Sequence, residues 1–287
     1  QASLVGSEMC IRDRLFTDLD GTLLNKKTFE FRAALNLIKN CISKGINIIP
    51  NSSKTDLELD EICEKLEIPK VYISENGSCI YGLNFLSDKL NEKICLSRNK
   101  EIIFKNFSDN INFKLQKKCL ILENETLQNQ IEVLGLPKNK ISKAMNRKFS
   151  MPFIFLGNKE EEVELKNSVK KHGLNIQFGG RVLSLGDKVS KGNAMMRFIS
   201  LLSNETKKNY VSICVGDNEN DFDMLDKCDY PCLVKNGPLK KINFKNQCVV
   251  SKKEAPDGWV EVVNKTLNII KKLEVNLSLI HISEPTR

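Results

Sequence analysis

Apolar and polar positions along this chain follow two periods. Short apolar runs that stop at polar clusters read as strands, and apolar positions three or four apart read as helices. Residues 15–17 are apolar or β-branched and run into Asp18, Leu19, Asp20, Gly21 and Thr22. This predicts a buried strand closed by a turn, with Asp18 and Asp20 on one side just past its carboxyl end. Phe31, Leu35, Ile38 and Ile42 are helically spaced, and Gly45 stops them. Residues 46–50 predict a second strand, ended by Asn51, Ser52, Ser53, Lys54 and Thr55. Thr55 or Asp56 can cap the helix that follows, to about residue 66. Residues 71–74 predict a third strand, Asn76-Gly77 a hairpin turn, and residues 78–81 a returning strand. Strand, helix, strand, helix, strand argues for a parallel sheet.

From about residue 83 to residue 183 the periods mix. Segments 91–96, 144–150, 152–156 and 175–178 read as strands, and 115–122 and 161–172 as helices. Gly179, Gly180 and Arg181 sit between two strand-like pieces. The parallel pattern then resumes: a helix from Lys191 to about residue 202, and a strand at 211–215 ending in Gly216, Asp217, Asn218, Glu219, Asn220 and Asp221. A helix at 222–228, strands at 230–234 and 247–250, and a helix at 256–273 close the chain. The expectation is an α/β protein. Its Rossmann-like parallel-sheet core lies in two parts, 15–82 and 187–276, around an inserted α+β cap at 83–186.

Composition changes this picture little. Hydrophobic residues make up 41% and charged residues 28%, ordinary for a globular chain. No apolar run reaches the length of a membrane span, and a cytoplasmic enzyme without membrane contact is expected. The net charge of +8 comes from lysines scattered among Asn and Ile, with no basic block. A solvated surface is the expectation; nucleic acid is not an expected partner, and a small anionic substrate is compatible. The ten cysteines form no CxxC pair, which points to reduced thiols.

The two ends look foreign. Residues 8–14 (EMCIRDR) and 277–282 (LSLIHI) can be encoded by a transposase-adapter sequence and its reverse complement. Residues 1–14 and 277–287 are therefore expected to be translated adapter, and are left out of the fold reading. Arg12 and Arg14 would then stand where a buried strand wants apolar residues. His172 is the single histidine outside these ends, so neither a histidine nucleophile nor a multi-histidine metal site is expected.

The chemistry lies at four strand ends on one predicted sheet edge: Asp18 with Asp20, Ser52, Lys191, and Asp217 with Asp221. Two carboxylates as close as Asp18 and Asp20 repel, so one binds a cation or keeps its proton. The hydroxyls after the second strand are either plain helix caps or donors to a phosphate oxygen. Together the clusters supply a carboxylate nucleophile, a second carboxylate, a hydroxyl, a fixed cation and hard oxygen ligands suited to Mg²⁺. That set fits phosphoryl transfer.

The motifs DLDGT, a strand-final serine, KG and GDNEND resemble the haloacid-dehalogenase superfamily of phosphatases over residues 15–78 and 187–250. The resemblance implies that Asp18 is the nucleophile and that Asp20 is the general acid, then base, held by Thr22. Ser52 would bind the phosphoryl group and Lys191 neutralise it. Asp18, the backbone carbonyl of Asp20, Asp217 and Asp221 would hold Mg²⁺, with Asn220 in support.

Within the superfamily, SSKT, residues 144–153 (AMNRKFSMPF) and residues 179–192 are similar to the mannosyl-3-phosphoglycerate phosphatases. This implies a small phosphorylated sugar substrate and a compatible-solute product. Ser53, Lys54, Asn76, Arg147, Gly179, Gly180, Arg181 and Asn220 would contact the substrate. From the residues alone, Gly179-Gly180-Arg181 also reads as a turn with an exposed arginine. Met151, Phe149, Val182 and Ser184 depart from that branch, which keeps glucosyl-3-phosphoglycerate, sucrose-phosphate and hexose phosphates open as substrates. A non-catalytic anion or nucleic-acid binder is the alternative from another class.

Overall fold

The computed structural model describes residues 12–178, 182–237 and 243–282. The first part of the core contains β1 (Arg12–Thr17), α1 (Arg32–Ser43), β2 (Asn47–Pro50), α2 (Asp56–Leu66), β3 (Tyr72–Ser74), β4 (Cys79–Tyr81) and β5 (Lys93–Cys95). A mixed segment follows, with α3 (Lys100–Asn110), α4 (Phe113–Gln116), β6 (Cys119–Ile121), α5 (Leu127–Leu134), α6 (Lys138–Met145), β7 (Ser150–Phe155), α7 (Lys159–Lys171), β8 (Leu174–Phe178) and β9 (Leu183–Asp187). The chain then returns through α8 (Lys191–Thr206), β10 (Tyr210–Gly216), α9 (Phe222–Lys227), β11 (Tyr230–Leu233), β12 (Val249–Val250) and α10 (Asp257–Ile282).

The main sheet is parallel throughout, in the order β12-β11-β10-β1-β2. Its strands are apolar on both faces because helices cover both. Leu15, Ile48, Ile213 and Cys232 face α1, α2 and α10, where Leu37, Ile38, Leu59, Trp259 and Val263 lie. Phe16, Ile49 and Cys214 face α8 and α9 through Ala194, Phe198, Met224 and Leu225. Phe16 and Phe198 meet edge to face at 5.3 Å. Strand order runs outward in opposite directions from the β1–β10 pair, and such a switch point is where open α/β sheets bind ligands. Trp259 fixes that place from below: its indole N–H donates to the Thr17 hydroxyl at 3.0 Å, and Thr17 donates to the Asp18 carbonyl at 2.7 Å.

A second sheet, β3-β4-β5, is antiparallel and adjoins the first through a single bridge between Asn51 and Ile73. Segment 91–96 thus pairs with β4, next to the core. A third sheet, β6-β7-β9-β8, is also antiparallel. On one face Met151, Phe153, Leu174, Ile176 and Leu185 pack on α3 and α7 through Ile103, Phe107, Leu165 and Val169. We propose that the part of the expected cap segment 83–186 that follows β5 acts as the inserted cap over the parallel core, residues 83–96 packing with the core instead. Its two connections to the core are clipped together where Arg98 forks onto Asp187.

Two local readings differ. Segment 144–150 is no strand: Ala144 and Met145 end α6, where Ile141 and Ala144 are buried one turn apart, and only Ser150 opens β7. Segment 115–122 splits into the end of α4 and β6. The nine described cysteines form no disulfide with one another.

β1 also includes Arg14, which is 5% exposed and stands opposite Ser212 and Asn47 in the two neighbouring strands. Its guanidinium lies 4.4 Å from the centre of the Tyr210 ring. Even where partners offset the cost of desolvating it, a buried charge is often less stabilising than an apolar side chain in the same place. Arg14→Val is expected to raise the melting temperature by about 2–4 °C, the shift of a 1 kcal/mol gain in a domain of this size. Thermal unfolding followed by circular dichroism checks this; a lower melting temperature would show that the stacked arginine stabilises the strand.

Candidate active site

The parallel register of β1 and β10 builds the site. It brings the Asp18 N–H onto the Val215 carbonyl at 2.9 Å, so the tips of these strands end level. Gly21 then turns the chain at φ +91°, and a Cβ there would lie 2.7 Å from Asp217 Oδ2. A side chain at this position would therefore collide with the second acidic strand end.

Lys191 opens α8 beneath Ser190, which caps that helix. Its ammonium is fully buried and donates to Asp18 Oδ1 at 2.5 Å and Asp221 Oδ1 at 2.6 Å. Burial opposes its charge, but the carboxylates of Asp18 and Asp221 more than offset that, so it stays protonated at any working pH. Asp221 folds back over the strand tip, where its Oδ2 accepts from the amides of Asp217 at 3.0 Å and Asn218 at 3.1 Å. Asn51, also fully buried, donates to the Lys191 carbonyl at 3.1 Å and fixes the start of α8.

Oxygens of Asp18, Asp217 and Asp221 all lie within 4.8 Å of one another. One lysine does not neutralise three carboxylates. Burial, together with the charges of Asp221 and Asp217, pushes Asp18 up to about 8 against the pull of Lys191. Burial and Asp221 likewise push Asp217 up to about 6. Hard oxygen ligands with an uncompensated charge suit a divalent cation.

Thr22 takes a different partner from the one expected. Its hydroxyl donates to Asp217 Oδ1 at 2.8 Å and reaches Asp18 Oδ2 at 3.4 Å, because the Gly21 bend carries it back under β10. Asp20 is held by Lys54 instead, Nζ to Oδ2 at 2.7 Å, while its buried Oδ1 has no hydrogen-bond partner among the described residues. Burial works against the Lys54 charge, yet Asp20 and Glu58 raise its pKa overall.

A cleft of about 630 Å³ opens from Asp20 and Lys54 toward the cap. Ser53, Asn76 and Phe29 line the core side, and Arg147, Pro152, Val182 and Ser184 the cap side. Arg147 donates to the Ser53 carbonyl at 3.0 Å. Asn220 reaches Asn76 at 3.3 Å, and Ser52 lies buried beside them. The expected residues Gly179, Gly180 and Arg181 lie outside the described residues. Met151 is buried in the cap's own core and does not face this cleft.

Several groups in the site were not anticipated from the sequence. Asn236 donates to Asp217 Oδ2. It follows β11, and applying the strand-end criterion to that strand as well would have singled it out. Asn51 and Glu58 carry no such signal, since each reads as ordinary turn or helix chemistry.

Comparisons with known proteins agree with this geometry. Residues 15–263 match the family model of haloacid dehalogenase-like hydrolases. The chain is similar to a glucosyl-3-phosphoglycerate/mannosyl-3-phosphoglycerate phosphatase of Persephonella marina, at 29% identity over 90% of this chain and 98% of the relative. It is 30% identical to a mannosyl-3-phosphoglycerate phosphatase of Pyrococcus furiosus, over 81% of this chain and 94% of that one. In fold it matches a solved protein of Thermotoga maritima with a TM-score of 0.59 at 19% identity, covering 88% of this chain and 97% of the other. With a buried aspartate–lysine pair at the tip of its central strand, the chain belongs to the haloacid dehalogenase-like hydrolases and is a phosphatase.

Proposed function

We propose that the protein is a Mg²⁺-dependent phosphomonoesterase that removes the phosphate of mannosyl-3-phosphoglycerate or its glucosyl counterpart. One observation carries the chemistry: Asp18 stands on the β1 tip against a buried cation, with Asp20 two residues on at the mouth of the cleft. Asp18 attacks phosphorus, the bond to the leaving oxygen breaks, and Asp20 gives that oxygen a proton. Asp20 then takes a proton from water, which attacks phosphorus, breaks the bond to Asp18 and frees inorganic phosphate. Lys191 holds Asp18 in place and offsets the incoming negative charge, and the Ser52 hydroxyl offers a donor to a phosphate oxygen. Asp18 and Asp217, backed by Asp221, would hold Mg²⁺, which when bound supplies charge neutralisation on the phosphoryl oxygens.

For the substrate, the support is the activity for which both relatives are named and the make-up of the cleft. An aromatic ring at Phe29 with Lys54 and Arg147 suits a sugar joined to an anionic group. Val182 and Ser184 line the same cleft, and their departure from the mannosyl-3-phosphoglycerate phosphatase branch favours a second reading with a different sugar phosphate.

Phosphate release from a panel of sugar phosphates and phosphoglycerates, with Mg²⁺ and with EDTA, tests the reading. Turnover is expected only with the metal and fastest on a glycosyl-3-phosphoglycerate; no metal-dependent turnover on any of them would sink it. Asp18→Asn is expected to lower kcat on the order of 10⁴-fold or more. It should leave the melting temperature unchanged or raise it, because it relieves a crowded buried charge.

Stability should also depend on pH in a defined direction. Asp18 and Asp217 hold protons in the metal-free fold up to about 8 and about 6, against 3.8 ordinarily. The folded state therefore binds more protons than the unfolded one between about pH 4 and 8. Metal-free protein should lose stability as the pH rises through this window, and Mg²⁺ should raise the melting temperature more at pH 8 than at pH 5. Equal Mg²⁺ stabilisation at both values would contradict the assigned cluster.

A further inference from the structure

The turn after β3 has three successive residues in the left-handed region, Glu75 at φ +45°, Asn76 at +59° and Gly77 at +98°. Only one of them is a glycine, so this backbone is held against its preference by its surroundings. On the core side the holding groups are those of the phosphate site. Glu75 N–H donates to the Lys54 carbonyl at 3.0 Å and Asn76 N–H to the Ser52 carbonyl at 2.9 Å. A Cβ on Gly77 would lie 2.3 Å from the Ser190 carbonyl oxygen, at the root of Lys191.

The Glu75 side chain goes the other way. Its carboxylate is 3% exposed and the catalytic scheme has no use for it. It accepts from the Lys148 amide at 2.9 Å, the Phe149 amide at 3.2 Å and the Ser150 hydroxyl at 2.5 Å, all at the entry to β7 in the cap. Arg147 completes the arrangement by donating to Ser150 Oγ at 3.1 Å and to the Ser53 carbonyl. Other core–cap ion pairs are more open to solvent. Lys143 with Glu61 and Lys148 with Asp56 each use a lysine side chain 42% exposed, where salt screens the attraction. A buried carboxylate taking two adjacent amides and a hydroxyl is stronger and fixes direction.

We propose that Glu75 is a positioning residue, a latch that fixes the register of the cap over the phosphate site. The bonds at the β7 entry set where Pro152 and Arg147 stand relative to Asp20 and Lys54. Substrates that reach from the phosphate site to the cap then depend on Glu75, whereas a phosphate too small to touch the cap does not. This rests on the proposed phosphatase chemistry and adds a residue that acts through the cap and touches no substrate.

The test compares two substrates with the Mg²⁺-loaded protein: the best glycosyl phosphate of the panel and a small aryl phosphate. Glu75→Ala is expected to lower kcat/KM for the sugar substrate by about 10²-fold and change it less than about threefold for the aryl phosphate, the scale of a displaced binding wall. Ser150→Ala should show the same split more weakly, and Ser150→Thr, which keeps the hydroxyl, should restore it. If Glu75→Ala does not fold, the Ser150 pair decides. A proportional loss on both substrates, or no loss on either, overturns the latch. A parent protein inactive on every phosphate would instead overturn the phosphatase reading on which the latch rests.

Discussion

The site depends on one buried ammonium between two buried carboxylates. Lys191 has no contact with water, and neither has Asp221. Such a cluster forms only if the geometry is good enough to repay desolvation. Here the backbone does much of that. Two amides satisfy the outer oxygen of Asp221, the Ser190 cap and Asn51 fix the first turn of α8, and the β1–β10 register sets the height of Asp18. Loosening any of these would leave an unpaired charge in a dry place. The polar centre is thus held in place by the apolar sheet beneath it.

The same cluster is built to be incomplete. Three carboxylates share one lysine, and the surplus negative charge appears as protons retained on Asp18 and Asp217. A divalent cation would replace those protons and hold Asp18 ionised, the form its proposed role as nucleophile needs. Stability is given up at this point for function, a common bargain at active sites. Asp20 is arranged differently. It sits at the rim, tied to Lys54 on a cleft that also holds Glu58, so its charge is balanced from the substrate side and not from the metal side.

How much of this could be read from the chain follows from the strength of each local signal. β1, β2 and β10 are apolar runs that stop at acidic or hydroxyl residues, and strands buried on both faces leave little ambiguity. The residues at the β1 and β10 tips therefore came together as expected, Asp18 with Asp217 and Asp221, and Lys191 at the start of α8 joins them in one site. Partner choice within the site was less legible. The Thr22 hydroxyl turns to Asp217, and Lys54 to Asp20, because of a bend at Gly21 and a separation of 34 residues that no spacing rule reveals. The cap was the least legible part. α3 buries only Ile103 and Phe107, and α5 only Leu134, so lysine and asparagine hide their helical period. Residues 144–150 read as a strand because Ala144, Met145 and Phe149 crowd three apolar residues into a stretch where a helix ends and a loop begins.

Strand parity in the cap separates the departures that matter from those that do not. Along β7, Met151 and Phe153 point into the cap's own core while Pro152, between them, faces the cleft. The residue at 151 therefore alters packing and leaves the cleft's charge untouched. β9 behaves the same way: Leu185 packs inward and Ser184 faces the cleft, with Val182 just before the strand. Val182 and Ser184 give the wall opposite Asp20 neither an aromatic face nor a titratable ring at these two positions. The wall that varies in character is thus at the entry to β9, apart from the charged cluster at the β1 tip. The two are held in register across the interface by groups that belong to neither, on a turn whose backbone is kept strained by the contacts on both of its sides.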